Sequence, residues 1–219
     1  VQKAVSQLHL EREVDHYRHL AIRDGLTNLF NHRYFHEVLT RELARSARYG
    51  RPLSLLLLDL DDFKRLNDNH GHLIGDDLLV AVATSLKTLM LGIDMVARLG
   101  GDEFAILLED TVGRHDHDAL AERLRAAMAQ PFTLNGTEVF VSASIGIAVS
   151  CGDHTADSTL EAADEVLRNA DVAMYAAKRA GKGRVEASES SLAADVRHRL
   201  ELERALRRAV ERDELVLHY

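Results

Sequence analysis

The segment Arg98-Leu-Gly-Gly-Asp-Glu-Phe104 places two glycines and then two acids between strand-like runs of the chain. A glycine pair in this setting predicts the turn of a β-hairpin. Because glycine has no Cβ, a bulky anion can approach the backbone closely at this turn. The turn also presents two carboxylates, Asp102 and Glu103, at one end of the hairpin. Acids beside an anionic ligand imply a metal ion between them.

A second group of acids, Asp59-Leu-Asp-Asp62, directly follows the apolar run Leu55-Leu-Leu-Leu58. The run predicts a buried strand, so these acids are expected at a strand end. We therefore predict that two strand ends share one metal site. The alternative for the acid pair in the turn is simple exposure to solvent.

Composition limits the classes of function that remain. The chain has 219 residues with 46% hydrophobic content, which suits one domain with extensions or two small domains. A formal charge of -8 argues against nucleic acid as a partner, because neutralising a polyphosphate calls for a basic surface. Cys151 is the one cysteine, so no intrachain disulfide can form. No signal peptide or membrane-spanning run is recognised, and we expect a cytoplasmic chain without membrane contact.

Apolar periodicity predicts alternating helices and strands around the hairpin. Gly181-Lys-Gly183 is expected to end the last long helix before a short strand. This alternation predicts an α+β fold, in which helices flank a mostly antiparallel central sheet. The predicted helices span about 33–49, 75–90, 119–129 and 159–179, and the predicted strands span about 53–59 and 138–150.

The first residues, 1–22, have apolar positions spaced four, three and four apart, which predicts an N-terminal amphipathic helix. This helix is either half of a coiled coil or a helix packed against its own domain.

Four segments of the chain belong together: Asp24-Gly-Leu-Thr27, Asp59-Leu-Asp-Asp-Phe-Lys-Arg-Leu-Asn-Asp68, Gly71-His-Leu-Ile-Gly-Asp76 and Gly100-Gly-Asp-Glu-Phe104. In this order and at roughly this spacing, they resemble the signatures of the GGDEF diguanylate cyclases. The resemblance covers about residues 23–187 and implies a fold like the nucleotidyl cyclase or polymerase palm. It also implies that two GTP molecules condense into cyclic di-GMP with release of pyrophosphate. Since each domain binds one GTP, a homodimer is implied, with helix 1–22 as a linker that brings the domains together.

Residues 188–219 differ in character from the preceding domain. Arg199-Leu-Glu-Leu-Glu-Arg-Ala-Leu-Arg-Arg-Ala209 predicts a charged amphipathic helix, and Glu214-Leu-Val-Leu-His-Tyr219 a strand. This stretch resembles the beginning of an EAL phosphodiesterase domain and lacks every catalytic motif of that family. The chain is therefore interpreted as a fragment of a tandem GGDEF-EAL protein, with an EAL domain as a possible partner in the full-length chain.

The resemblance assigns metal ligands. Asp59, the backbone carbonyl of Leu60 and Asp102 are expected to hold Mg²⁺ or Mn²⁺, since hard oxygen ligands suit both. Asp102 is also expected to help deprotonate the attacking 3′ hydroxyl. Many relatives carry glutamate at the position of Asp102. The aspartate side chain is shorter, so its carboxylate extends less far from the backbone. Glu103 is expected to orient or contact the metal.

Phosphate binding is assigned to backbone N–H groups at Asp62, Phe63 and Lys64, where a helix begins. Lys178 and Lys182 add positive charge. Relatives often have arginine at the position of Lys182, so a point charge replaces a bidentate contact. The alternative for each lysine is a solvated surface cation.

Base selection is assigned to Asn67 and Asp76. Guanine offers N1–H and N2–H₂ donors on one edge, and a carboxylate accepts both, whereas adenine presents an acceptor at N1. We therefore expect GTP. Taken alone, Asn67 is typical of a turn and Asp76 of a helix N-cap. His72 either shapes the same pocket or is a structural histidine.

Two further expectations concern the flanks of the hairpin. Asp24 and Arg98 are predicted to pair across the domain and brace the hairpin. Many relatives also carry an Arg-x-x-Asp inhibitory site for the product, whereas the matching positions read Leu91-Gly-Ile-Asp94. Without the guanidinium, product inhibition through this degenerate site is expected to be weak or absent. Cyclic di-GMP binding that vanished in Asp94→Ala would contradict this expectation.

Two functions of different classes remain open from sequence. The first is an active cyclase, favoured by intact acids together with Asn67 and Asp76. The second is a catalytically weak GTP-binding module that controls an attached EAL phosphodiesterase domain, favoured by the short EAL-like tail.

Overall fold

The computed structural model describes residues 21–90, 94–109, 117–150, 159–189 and 209. The predicted N-terminal helix 1–22 and the EAL-like tail 188–219 lie outside these residues, except for 21–22, 188–189 and 209. In the described part of the chain, no helix is both long enough and apolar enough to cross a membrane.

The described residues form an α+β fold around a six-stranded sheet. The helices are α1 (His32–Tyr49), α2 (Phe63–His70), α3 (His72–Leu89), α4 (His117–Met128) and α5 (Thr159–Arg179). The strands are β1 (Phe30–Asn31), β2 (Leu53–Leu60), β3 (Met95–Gly100), β4 (Glu103–Glu109), β5 (Phe132–Leu134), β6 (Thr137–Val139), β7 (Ala143–Ser150) and β8 (Val185–Ala187).

The sheet has the strand order β1-β3-β4-β2-β7-β8, and β5 pairs with β6 in a separate hairpin. The three central pairings are antiparallel. The outer pairings, β1 with β3 and β7 with β8, are parallel. The predicted fold class, a mostly antiparallel sheet flanked by helices, is therefore confirmed.

Strand β2 lies at the centre of the sheet and is buried along its whole length. Successive side chains of a strand point to opposite faces, so β2 supplies leucines to two separate cores. Leu56, Leu58 and Leu60 join the core under α3 and α4. Leu55 and Leu57 join the core under α1 and α5. Each buried leucine contributes about 1.5–3 kcal/mol. The Asp59 side chain points to the same face of β2 as Leu55 and Leu57.

Several predicted elements agree closely with the structure. The hairpin around the glycine pair is formed by β3 and β4, with a register shift between Arg98 and Gly100. Helix α5 spans the predicted residues, and α1 begins at an Asn31 side chain that accepts a hydrogen bond from the Tyr34 N–H.

Two predicted elements were wrong in their bounds. The strand predicted over 138–150 is two strands, because β6 pairs with β5 whereas β7 pairs with β2. The helix predicted from residue 75 begins at His72, directly after Gly71, whose φ of 86° is not helical.

Candidate active site at the β2–β4 edge

The antiparallel pairing of β2 with β4 brings the two acidic segments together. Asp59 lies directly opposite Glu103 in the ladder. One step further along, the Leu60 N–H donates to the Asp102 carbonyl at 3.3 Å. The ends of the two strands are thus adjacent, and the backbone of Leu60 and the acids of both segments lie at one edge of the sheet.

Asp59 points toward α5 because it follows Leu55 and Leu57 on the same face of β2. Its carboxylate meets the Lys178 ammonium, in the last turn of α5, at 2.7 Å. The Asp59 side chain is 9% exposed and that of Lys178 is 32% exposed. The ion pair therefore joins the end of β2 to the end of α5 in a largely buried setting.

Asp59 is buried near other negatively charged side chains, and this environment shifts its pKa. Burial, together with the negative charges of Asp102 and Glu103, raises the pKa of Asp59 to about 6, against the lowering effect of Lys178. Burial alone would lower the pKa of Lys178, but its hydrogen bond to Asp59 and the three nearby carboxylates raise it. The edge concentrates negative charge and favours a cation there.

The oxygen atoms at this edge suit a hard divalent cation that takes its remaining ligands from water and phosphate. Among the residues that the structure describes, no three His, Cys, Asp or Glu side chains gather into a complete metal cage. Mg²⁺ does not need one, since it usually takes one or two carboxylates and completes its shell with water and phosphate oxygens. Asp59, Asp102 and the Leu60 carbonyl would supply this partial set.

The start of α2 forms the second side of the site. The first N–H groups of α2, which include those of Phe63 and Lys64, have no partner within the helix. Asp62 precedes the helix with φ 57°, and its carboxylate makes no cap hydrogen bond to them. That carboxylate instead accepts from the Lys182 ammonium at 2.7 Å. This hydrogen bond is the main reason that the pKa of the exposed Asp62 is lowered. The two predicted lysines thus pair with acids at the end of β2 and directly after it, Lys178 with Asp59 and Lys182 with Asp62.

Asn67 and Asp76 lie on consecutive helices that pack together. Asn67 is in α2 and Asp76 is inside α3, so the alternatives of a turn residue and of an N-cap were both wrong. The Asn67 Oδ1 is buried and has no hydrogen-bond partner in the described part of the chain. It lies against Gly75, where an added Cβ would meet it at 1.9 Å. His72 is exposed at the first position of α3.

The predicted pair between Asp24 and Arg98 is confirmed. The Arg98 Nη1 donates to Asp24 at 3.1 Å, and its other guanidinium nitrogens donate to the Gly101 carbonyl at 3.0 and 2.7 Å. Asp24 also accepts from the Thr27 hydroxyl at 2.6 Å and from the Thr27 N–H at 2.8 Å. Arg98 therefore fixes the hairpin turn to the segment before β1.

Acid is expected to weaken this brace. Burial alone would raise the pKa of Asp24, but the hydrogen bonds from Thr27 and Arg98 and the charge of Arg98 lower it. A carboxyl with a lowered native pKa stabilises the fold above its unfolded value of about 3.9, and this contribution is lost as the pH falls through the native pKa. We expect Asp24→Asn to lower the free energy of unfolding by about 1 kcal/mol at pH 7. The difference should shrink below about pH 4 in urea titrations; a difference that stayed constant down to pH 3 would contradict this.

Asp61 is a site residue that sequence reasoning missed. Asp61 is 7% exposed, and its carboxylate accepts three hydrogen bonds. The donors are the Ser142 hydroxyl at 2.6 Å, the Ser144 hydroxyl at 2.7 Å and the Gly183 N–H at 2.9 Å. Its position between two other acids was visible in the sequence, but its donors are more than eighty residues away along the chain.

A cavity of about 280 Å³ lies next to Glu103, between the hairpin and α5. Its floor is apolar, and its charged lining comes from Glu103, Arg168 and Asp171. Asp171 is two helical turns before Lys178 on α5, so the cavity adjoins the acidic edge. The inhibitory-site position Leu91 lies outside the described residues, and the expectation of weak product inhibition stays a prediction.

Comparison with known proteins gives a consistent family assignment. Residues 21–184 match the family described as "Diguanylate cyclase, GGDEF domain". The chain is similar to the bifunctional diguanylate cyclase/cyclic di-GMP phosphodiesterase MucR of Pseudomonas aeruginosa, at 41% identity over 202 residues, covering 91% of this chain and 28% of MucR. It is also similar to the cyclic di-GMP phosphodiesterase NbdA of the same organism, at 35% identity over 216 residues, covering 96% of this chain and 26% of NbdA.

Among solved structures, the chain resembles the coiled coil and GGDEF domain of DgcB from Caulobacter crescentus in complex with c-di-GMP. The TM-score is 0.76 at 28% identity, covering 85% of this chain and 96% of that one. The chain thus spans nearly all of this solved structure but little more than a quarter of the two curated relatives.

Proposed function

The chain belongs to the GGDEF-domain family of diguanylate cyclases, and from this premise we propose that it condenses two molecules of GTP into cyclic di-GMP and releases pyrophosphate. The observation that carries the proposal is the acidic edge itself. Asp59 lies opposite Glu103 next to the Asp102 turn, and Lys178 lies 2.7 Å from Asp59. A site for a metal nucleotide needs both signs of charge in this arrangement, negative for the metal and positive for the phosphates.

In this proposal, one group of residues binds the metal and another group binds the phosphates of GTP. Asp59, the Leu60 carbonyl and Asp102 would hold the metal, which would neutralise phosphate charge when bound. The N–H groups of Asp62, Phe63 and Lys64 donate to phosphate oxygens at the start of α2. Lys178 and Lys182 add positive charge from the end of α5 and the turn that follows it.

The reaction joins a 3′ hydroxyl to an α-phosphorus. The hydroxyl oxygen forms the new bond to phosphorus, the bond to the pyrophosphate oxygen breaks, and the hydroxyl proton passes to the Asp102 carboxylate. Glu103, which lies opposite Asp59 at the beginning of β4, would orient or contact the metal. Positioning and charge neutralisation supply most of the catalysis in phosphoryl chemistry, so a rigid strand edge is a suitable platform.

Guanine is selected by Asn67 and Asp76, with His72 at the edge of the same pocket. The Asp76 carboxylate accepts from guanine N1–H and N2–H₂, which adenine cannot provide. The Asn67 Oδ1, which is buried and has no partner among the described residues, supports a ligand donor here, because an unpaired buried acceptor costs about 1–3 kcal/mol.

Gly75→Ala is expected to weaken GTP binding about tenfold, because the new methyl group displaces the Asn67 side chain and about one hydrogen bond is lost. Titration of the chain with GTP and with ATP measures the effect, and the preference for GTP should fall. Adding Gly75→Ala to Asn67→Ala should change nothing further, since the displaced group is already absent. Unaltered GTP affinity in Gly75→Ala would sink this assignment.

Condensation requires two chains, because each holds one GTP and each must present a hydroxyl to the other. We therefore propose a homodimer for catalysis. The test is incubation with GTP and Mg²⁺ or Mn²⁺ over a range of chain concentrations, following pyrophosphate release and product mass. Cyclic di-GMP whose rate per chain rises with concentration is the expected result; no product at any concentration or with enforced dimerisation would reject the cyclase function.

A second candidate is a GTP-binding module that regulates an attached EAL phosphodiesterase domain in a longer protein. The similarity to NbdA, which is named as a phosphodiesterase, favours this candidate. It predicts GTP binding without product, and the same incubation distinguishes the two.

A further inference from the structure

Asp61 connects three separate parts of the chain at the back of the proposed site. Its Oδ1 accepts from the Ser144 hydroxyl, and its Oδ2 accepts from the Ser142 hydroxyl and from the Gly183 N–H. Its own N–H donates to the Ser142 carbonyl at 2.8 Å. The carboxylate thus fastens the end of β2 to the beginning of β7 and to the turn after α5.

The turn that Asp61 holds is the one that carries Lys182. The Lys182 N–H donates to the Ala177 carbonyl at 3.1 Å, and the backbone of Lys182 has φ 64°. A left-handed residue at this point sets the direction in which the lysine leaves the backbone. The next residue, Gly183, donates to Asp61, so the turn is fixed on both sides of Lys182.

Burial makes Asp61 a support rather than a ligand contact. Its three acceptor contacts point toward protein donors, and its side chain is almost excluded from solvent, whereas Asp62 is exposed and meets the Lys182 ammonium directly. We infer that Asp61 is a positioning residue, which sets the place of Lys182 for the triphosphate. This inference rests on the proposed function, because it assigns Lys182 to phosphate binding.

A double-mutant cycle on GTP affinity tests this role. The proteins are the unaltered chain, Asp61→Ala, Lys182→Ala and the double variant, each titrated with GTP and Mg²⁺. Asp61→Ala is expected to weaken binding about tenfold, by analogy with the outer-shell partners of metal ligands, whose loss costs about 10–100-fold in affinity. The double variant should bind no more weakly than Lys182→Ala alone. Asp61→Asn should recover most of the affinity, because its amide oxygen can still accept from the Gly183 N–H.

A purely structural role would instead give additive effects of Asp61→Ala and Lys182→Ala, and that result would overturn the inference. If Asp61→Ala does not fold, Ser142→Ala with Ser144→Ala takes its place in the cycle. This pair removes two anchors of Asp61 and leaves the Gly183 contact, and its effect should likewise vanish in the Lys182→Ala background. No GTP binding by the unaltered chain would overturn the proposed function and this inference together, whereas normal binding with additive effects would overturn this inference alone.

Discussion

Asp102→Asn is expected to lower the rate of cyclic di-GMP formation by at least about 10²–10³-fold, because one isosteric change removes the carboxylate that we propose as a metal ligand and as the acceptor of the hydroxyl proton. The change keeps the size of the side chain and the turn, so the fold should persist. The measurement is steady-state product formation, together with a separate GTP titration. The rate should fall far more than the affinity, since the lysines and the guanine contacts are untouched.

Asp102→Glu is the matched control, because it restores the carboxylate with one more methylene. By resemblance, glutamate is common at this position, and the variant is expected to retain substantial activity. Equal activity of Asp102→Asn and the unaltered chain would show that the carboxylate has no part in the reaction.

Gly146→Ala is expected to destabilise the fold by about 3 kcal/mol, the upper part of the usual range for overpacking. Gly146 lies in β7 where α5 crosses it. An added Cβ would meet the Ala170 carbonyl oxygen at 2.1 Å and the Met174 nitrogen at 2.3 Å. Because both are backbone atoms, no side-chain rotation relieves the contact, and α5 must move. Urea unfolding of the purified variant measures the loss.

The control for this change is Gly25→Ala, where an added Cβ meets nothing within 4 Å. Its effect on stability should stay within about 0.5 kcal/mol, as for other surface changes. A displaced α5 also moves Lys178 away from Asp59, so any folded Gly146→Ala protein should bind GTP weakly. Unchanged stability in Gly146→Ala would mean that α5 does not pack on β7 as described.

Sequence patterns predicted the elements that are decided locally. Helix α5 and the hairpin could be predicted because apolar spacing and a glycine pair are signals within a single segment. The sequence could not show that the strand predicted over 138–150 is two strands. Alternation of apolar and polar residues indicates which face of the sheet a side chain lies on, but it does not indicate the partner strand. Gly75 was mistaken for a helix start, because its actual constraint, the close approach of Asn67, is a contact between two helices.

Some features of the candidate site could likewise be predicted from the sequence, and others could not. The proximity of Asp59 to the Asp102 turn could be predicted from two strand ends, and the Asp24–Arg98 pair from charge and resemblance. The contacts of Asp61 could not be predicted, because its three donors come from distant segments and no spacing in the sequence indicates them. Lys178 was placed at the site by resemblance alone, and its contact with Asp59 follows from the shared direction of Asp59 and Leu57 on β2.

A crystal structure of the chain with Mg²⁺ and a non-hydrolysable GTP analogue tests the central claim most directly. We expect the metal on Asp59, Asp102 and the Leu60 carbonyl, phosphate oxygens at the start of α2 near Lys178 and Lys182, and guanine between Asn67 and Asp76. A nucleotide bound away from the β2–β4 edge, or a metal held without Asp59 and Asp102, would contradict the account.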